Sequence, residues 1–286
     1  MSKNLLDLSG KIDALTIAIF DAIVKVTTAA DIRFFLVGAT ARDWILHYGY
    51  GIAVGRATED IDLGVQVSDW DEFERLKMDL RRVGGFTPAR EVQRLLSPDN
   101  TPVDIIPFGD IQNTDSEIMW PSDEDTGICV LGFEDAYRSA QLVRLRSDPK
   151  LEVLVAAPAG LATLKLIAWS DRPEERIKDA TDLAFLLSVY MDAGDNQRRL
   201  FEEQKDLLDD EFDYERAGAR LMGRDIAQIA SEETRKVLVE ILARETDENG
   251  QFRLVQHMTK GTSSVSFDAT LLLLEALNQG LVETTG

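Results

Sequence analysis

Two hydrophobic rhythms alternate along the first part of the chain. Residues 11–29, KIDALTIAIFDAIVKVTTA, set apolar side chains at helical spacing and predict an amphipathic helix. RFFLVGA (33–39) is a short apolar run that predicts a buried strand ending in a tight turn at Gly38. TARDWILHYG then reads as a helix closed by Gly49. IDLGVQV, from Ile61, predicts a strand. SDWDEFERLKMDLRRVGG predicts a helix with Ser68 as its N-cap and Gly84-Gly85 as its stop. VQRLLS and PVDIIPF flank PDNT, the pattern of a hairpin. Residues 109–127 are polar, acidic and unpatterned, and read as a loop. ICVLGF and EVLVAAP predict two further strands.

Pro158 marks a change. Beyond it strand signals fade, and helical periodicity covers 159–170, 174–191, 198–209, 214–229, 232–245 and 265–281. The pattern predicts an α/β or α+β domain to about residue 157, followed by a helical region. No internal repeat or low-complexity tract interrupts either part.

Composition narrows the function classes. The 286 residues are 44% hydrophobic and 29% charged, ordinary for a globular protein, but the formal charge is −20. That charge argues against general affinity for nucleic acid or an anionic membrane, and leaves room for a local basic groove. Cys129 is the only cysteine, so no intramolecular disulfide forms, and a reducing, cytoplasmic setting is expected. The N-terminal stretch has no basic region followed by a long apolar run, so no signal peptide is expected. The apolar run ATLLLLEAL is too short to span a bilayer, and no membrane partner is expected. His47, His257 and Cys129 are too few to predict a zinc site. The segment 201–215 carries eight acids against one lysine. It reads as a solvated helix face, with a charge mimic or a surface for a basic partner as alternatives.

The candidate chemistry lies in the carboxylates. Asp60 and Asp62 flank Ile61, and strand alternation aims them to one side. Two close carboxylates repel, and the pair becomes favourable around a divalent cation. Asp104 sits inside the apolar run VDIIPF, where a charge is costly unless compensated. With its strand beside the first, Asp104 would join Asp60 and Asp62 as metal ligands, and one carboxylate would accept the proton of an attacking hydroxyl. The competing reading is structural: acids at strand ends cap turns or pair with arginine. Upstream, FLVGATARDWIL places a glycine turn between strand and helix. Backbone N–H groups there suit a phosphate, Thr40 offers a hydroxyl, and Arg42 follows on the same helix.

Strand–VGATARD–helix, then EDIDL, then VDIIPF, resembles the nucleotidyltransferase superfamily of the DNA polymerase β type. LATLKLIAWSDRPEERIKDATDLAFLL (161–187) narrows this, and is similar to the lysine helix and the following K-D-x-x-D-L helix of AbiEii-type nucleotidyltransferases, toxins of bacterial toxin–antitoxin and phage-defence pairs. The resemblance covers about residues 33–190. It implies an α+β fold, with a mixed-sheet catalytic domain over 1–157 and a helical domain over 158–286 that contributes Lys and Asp residues to the cleft. It implies that Gly38, Ala39 and Thr40, with Arg42, hold a triphosphate. Asp60, Asp62 and Asp104 would be the metal-binding and catalytic acids, with Asp179 as a further catalytic acid. Lys165, Arg172, Lys178 and Asp182 would complete the nucleotide site. The implied cofactor is Mg2+ or Mn2+, with NTP as substrate. The family turn carries Gly-Gly or Gly-Ser, and Gly38-Ala39 departs from it by lacking the hydroxyl.

For the second block a structural alternative stands. Lys178 and Asp182 have the spacing of an ordinary helix pair, and Asp171-Arg172-Pro173 that of an inter-helix turn. Lys165 is set apart by its apolar neighbours Leu164, Leu166 and Ile167. Three functions follow: NMP transfer to a tRNA 3′ end by a toxin with a cognate antitoxin; the same transfer to a small cationic molecule or a protein side chain; or nucleotide binding without turnover, as a partner-binding subunit.

Overall fold

In the computed structural model, the apolar runs on either side of Gly38 and Asp62 become neighbouring strands of one sheet. The structure describes residues 5–55, 58, 60–121, 123–208, 212–260 and 266–283. The chain divides into two units, Met1–Ala157 and Pro158–Gly286.

In the first unit the elements run β1 (Leu6–Asp7), α1 (Ala14–Ala30), β2 (Arg33–Val37) and α2 (Gly38–Asp43), which continues as a π-helical turn over Trp44–Gly49. Then come β3 (Ile61–Gln66), α3 (Trp70–Gly84), β4 (Thr87–Pro88), β5 (Arg94–Leu96) and β6 (Pro102–Phe108). The unit closes with β7 (Glu117–Trp120), β8 (Asp123–Cys129), α4 (Phe133–Arg138), β9 (Gln141–Arg146) and β10 (Leu151–Val155). Eight strands form one mixed sheet in the order β1-β9-β10-β2-β3-β6-β5-β4, and β7 and β8 form a separate hairpin. β2 runs antiparallel to β3, β3 parallel to β6, and β6 antiparallel to β5.

The alternation of β3 explains its place. Ile61, Leu63 and Val65 are buried on one face, and Asp62 and Gln66, on the other, are only half-buried. The central strands are sealed by Phe35, which packs edge-on against Phe108, Phe133 and Tyr137 at centroid distances of 5.7, 6.2 and 5.6 Å.

Several expectations change. The cap of α3 is Asp69, not Ser68: the Asp69 side chain accepts from the Glu72 N–H at 2.8 Å, and Glu72 accepts in return from the Ser68 N–H at 2.6 Å. The 109–127 loop contains β7 and most of β8, an antiparallel pair that buries Ile118 and Trp120. ICVLGF is strand only to Cys129, because Gly132, at φ +83°, ends the run and leads into α4.

The second unit is helical, as predicted, in α5 (Pro158–Asp171), α6 (Ile177–Val189), α7 (Asn196–Glu202), α8 (Tyr214–Ile229), α9 (Glu232–Thr246), α10 (Arg253–Met258) and α11 (Phe267–Glu283). The short helix α10 was not expected. Between α7 and α8 the acidic segment forms a 3-10 turn, Lys205–Leu207, and its residues 209–211 lie outside the described set. Gly280 lets α11 pass tightly against α8: a β-carbon there would stand 1.9 Å from the Arg220 carbonyl oxygen. Arg220 and Arg224 of α8 then clasp Glu283 of α11 at 2.6 and 2.8 Å.

Candidate active site

Register brings the predicted acids together. Asp62 of β3 is paired with Asp104 of β6, with Val37 of β2 on one side and Arg94 of β5 on the other. Residues paired across strands share a face, so Val37, Asp62, Asp104 and Arg94 form one row over four strands. Asp60 lies two residues before Asp62, at the entrance to β3.

The glycine turn closes on this row. Gly38 has φ +70°, and a β-carbon on it would lie 2.0 Å from Asp62 Oδ2. Only glycine meets both the left-handed backbone and the close approach of the carboxylate. Val37, the N-cap of α2, gives its helix no side-chain acceptor. The first N–H groups of a helix lack intrahelical partners, so the turn at Gly38, Ala39 and Thr40 keeps donor character beside the acids. Ala39 contributes its backbone alone.

Thr40 has a hydrogen-bond partner within the fold. Its hydroxyl donates to the Asp60 carbonyl oxygen at 2.6 Å, so its one O–H proton ties α2 to the entry of β3. Arg42 is buried, and its Nε and Nη2 contact Asp43 Oδ1 at 2.8 and 2.7 Å. The guanidinium thus works inside the unit, within a local ion pair.

Asp104 has the arginine partner that the structural reading of these acids expects. Arg94 grips it bidentately, Nε to Oδ1 at 2.7 Å and Nη2 to Oδ2 at 2.8 Å, and the same Nη2 stands 3.7 Å from Asp60 Oδ2. Hydrogen bonding to Asp104 holds the Arg94 guanidinium well above the ordinary arginine value, against the opposing effect of burial. Among the described residues no group of three or more Asp, Glu, His or Cys side chains is gathered to hold a metal ion. Arg94 joins Asp104 to Asp60, the arginine pairing that stands beside the metal reading of these acids. The donor set still suits a divalent cation: the acids are hard oxygen donors, and Arg94 already stands as a positive charge between Asp60 and Asp104.

A cavity of about 460 Å³ opens beside Thr40 and Ile61, with Trp44 and Pro102 among its walls. Asp13, Asp43 and Asp99 give it an acidic lining. Its size falls in the range of small-molecule pockets.

In the helical unit Lys165 is buried on α5 and donates to Asp179 at 3.1 Å and Asp182 at 2.5 Å on α6. Burial pulls its ammonium down; the two carboxylates more than reverse this and leave it above the ordinary lysine value. This is the purpose a charge on an apolar helix requires. Arg176, unflagged in the sequence, stands 3.9 Å from Asp179. Arg172 contacts Asp171 at 3.4 Å, and Lys178 is exposed on α6.

Residues 22–271 match the family described as nucleotidyl transferase AbiEii toxin, type IV TA system. The chain belongs to the AbiEii family. It is therefore a nucleotidyltransferase, of a family whose toxin–antitoxin setting implies an antitoxin. No curated protein matches it. Among solved structures, this AbiEii member is similar to the antibiotic-resistance factor ANT(2'')-Ia at 14% identity, over 69% of this chain and 96% of that one, with a TM-score of 0.34. It is also similar to the Thermotoga maritima CCA-adding enzyme complexed with tRNA_CCA, at 13% identity over 97% and 83% of the two chains, with a TM-score of 0.32. A CCA-adding enzyme with ATP matches at 13% identity over 96% and 82%, with a TM-score of 0.34. Among the described residues no helix is long and apolar enough to cross a membrane.

Proposed function

We propose that this AbiEii enzyme transfers a nucleoside monophosphate from an NTP to the 3′-terminal hydroxyl of tRNA, in the cytoplasm, as a toxin held in check by an antitoxin. The acceptor oxygen bonds to the α-phosphorus while the bond from that phosphorus to the oxygen bridging to the β-phosphate breaks. Pyrophosphate leaves, and the hydroxyl proton passes to a carboxylate of the site. The observation that carries this reading is Asp62 held between the Gly38 turn and Asp104: a phosphate-suited turn touching a carboxylate pair in register. Asp60 and Asp62, with Asp104, would hold Mg2+, which supplies positive charge to the triphosphate. Gly38, Ala39 and Thr40 present backbone N–H groups to phosphate oxygens. Within the helical unit, Lys165, Arg172, Lys178, Asp179 and Asp182 keep the site roles that the family resemblance implies, with Lys165 held by Asp179 and Asp182.

A second acceptor is favoured by one observation. The cavity beside Thr40 carries Asp13, Asp43 and Asp99, a lining suited to a cationic small molecule and unsuited to RNA phosphate. One experiment separates the two. The protein is incubated with each α-labelled NTP and Mg2+, with total tRNA in one arm and aminoglycosides in another, and products are analysed by mass. Label on tRNA 3′ ends supports the first reading. Label on the aminoglycoside alone replaces it with the second.

A further inference from the structure

We infer that Arg94 is a built-in counter-cation that occupies the acidic site until a divalent metal displaces it from Asp104. The inference rests on the metal-binding role proposed above for Asp60 and Asp62.

Asp62 and Asp104 are paired in register on adjoining strands, and Asp60 stands at the entry of the first. Neighbouring carboxylates repel one another unless a cation lies near them. Arg94 supplies the cation from inside the fold. It is directly opposite Asp104 in the antiparallel pairing of β5 with β6, so the contact is set by backbone register. A single guanidinium serves two acids, holding Asp104 by both oxygens and lying 3.7 Å from Asp60.

These positions are the ones a metal needs. An Asp104 whose two oxygens both accept from Arg94 has fewer lone pairs to give to an ion. Arg94 and a metal therefore compete for the same oxygens. The exchange requires no strand to move. The Arg94 side chain is 28% exposed, and rotation about its own bonds is enough to carry the guanidinium into solvent. In this account Arg94 is a positioning residue: it keeps the acids apart from each other and in place, and it raises the metal concentration needed to fill the site.

The test is Mn2+ binding to the full-length protein without nucleotide, read by electron paramagnetic resonance, in wild type, Arg94→Gln, Arg94→Lys and Asp62→Asn. Removing the competing charge should tighten Mn2+ binding about tenfold in Arg94→Gln. Arg94→Lys keeps the charge but not the two-pronged grip, and should fall between wild type and Arg94→Gln. A circular dichroism melt of each variant reports whether it is folded, and Arg94→Lys carries the test if Arg94→Gln is not. Unchanged or weaker Mn2+ binding in the folded arginine variants, with binding lost in Asp62→Asn, would overturn the inference and leave the metal reading standing. Binding unaffected by Asp62→Asn would remove the metal reading, and the inference with it.

Discussion

Asp62 occupies the space in which a side chain at Gly38 would have to sit: its Oδ2 is 2.0 Å from the position of the missing β-carbon. The turn that ends β2 and the carboxylate on the second residue of β3 are therefore one mechanical unit. Gly38→Ala must both strain a φ of +70° and push Asp62 from its row. The expected result is a stability loss of about 1–3 kcal/mol and loss of nearly all NTP turnover. A melt together with a pyrophosphate-release assay checks both.

Lys165 should behave as a structural cation as well as a functional one. Its removal leaves Asp179 and Asp182, with side chains 18% and 21% exposed, facing the gap. Lys165→Ala is expected to cost about 3 kcal/mol in urea unfolding, while Asp182→Asn, which leaves Asp179 as partner, costs less.

The α8–α11 contact predicts an acid-sensitive step. Burial pushes the Glu283 carboxyl up, and Arg220 and Arg224 more than offset this, so it ends below its ordinary 4.5. A carboxylate with a depressed folded value leaves the unfolded state holding more protons as pH falls. Its stabilisation is complete above pH 4.5 and is lost as pH drops through the folded value. Glu283→Gln should lower stability at pH 7 by about 1 kcal/mol, discounted for partial exposure, and flatten the pH dependence below the ordinary glutamate value. Denaturant unfolding across pH reads both effects.

Gly280 is expected to be less forgiving than any surface position nearby. The atom in the way of a β-carbon is the backbone oxygen of Arg220, which cannot rotate aside. Gly280→Ala should destabilise by about 3 kcal/mol, since the helices must separate. Thermal unfolding compared with Gln279→Ala, one residue away, provides the check.

The sequence carried the acids because a charge in an apolar strand is conspicuous, and Asp104 in VDIIPF was legible for that reason. It carried the glycine turn because strand, glycine and helix follow one another without a break. Arg94 was missed because an arginine on a three-residue strand has no pattern of its own. The signal was present in the hairpin. Once PDNT joins the strands, counting outward from Leu96 and Pro102 sets Arg94 against Asp104. β1, two residues long, and β7, four, are too short for alternation to register, and their pairing depends on partners distant in sequence or on a hairpin inside an acidic stretch. The tie from Thr40 to Asp60 is not legible in the sequence, because a hydroxyl at a phosphate-suited turn gives no hint that a backbone carbonyl twenty residues on takes its proton.

The central claim is that Asp62, in its row with Asp104, is the working acid of nucleotidyl transfer. The direct measurement is pyrophosphate released from Mg-NTP in the presence of tRNA by wild type and by folded Asp62→Asn, which keeps shape and removes charge. The account predicts release by the wild type, with a nucleotide added to the tRNA 3′ end, and a fall of at least about a thousandfold in the variant. Equal release by the two proteins would contradict it.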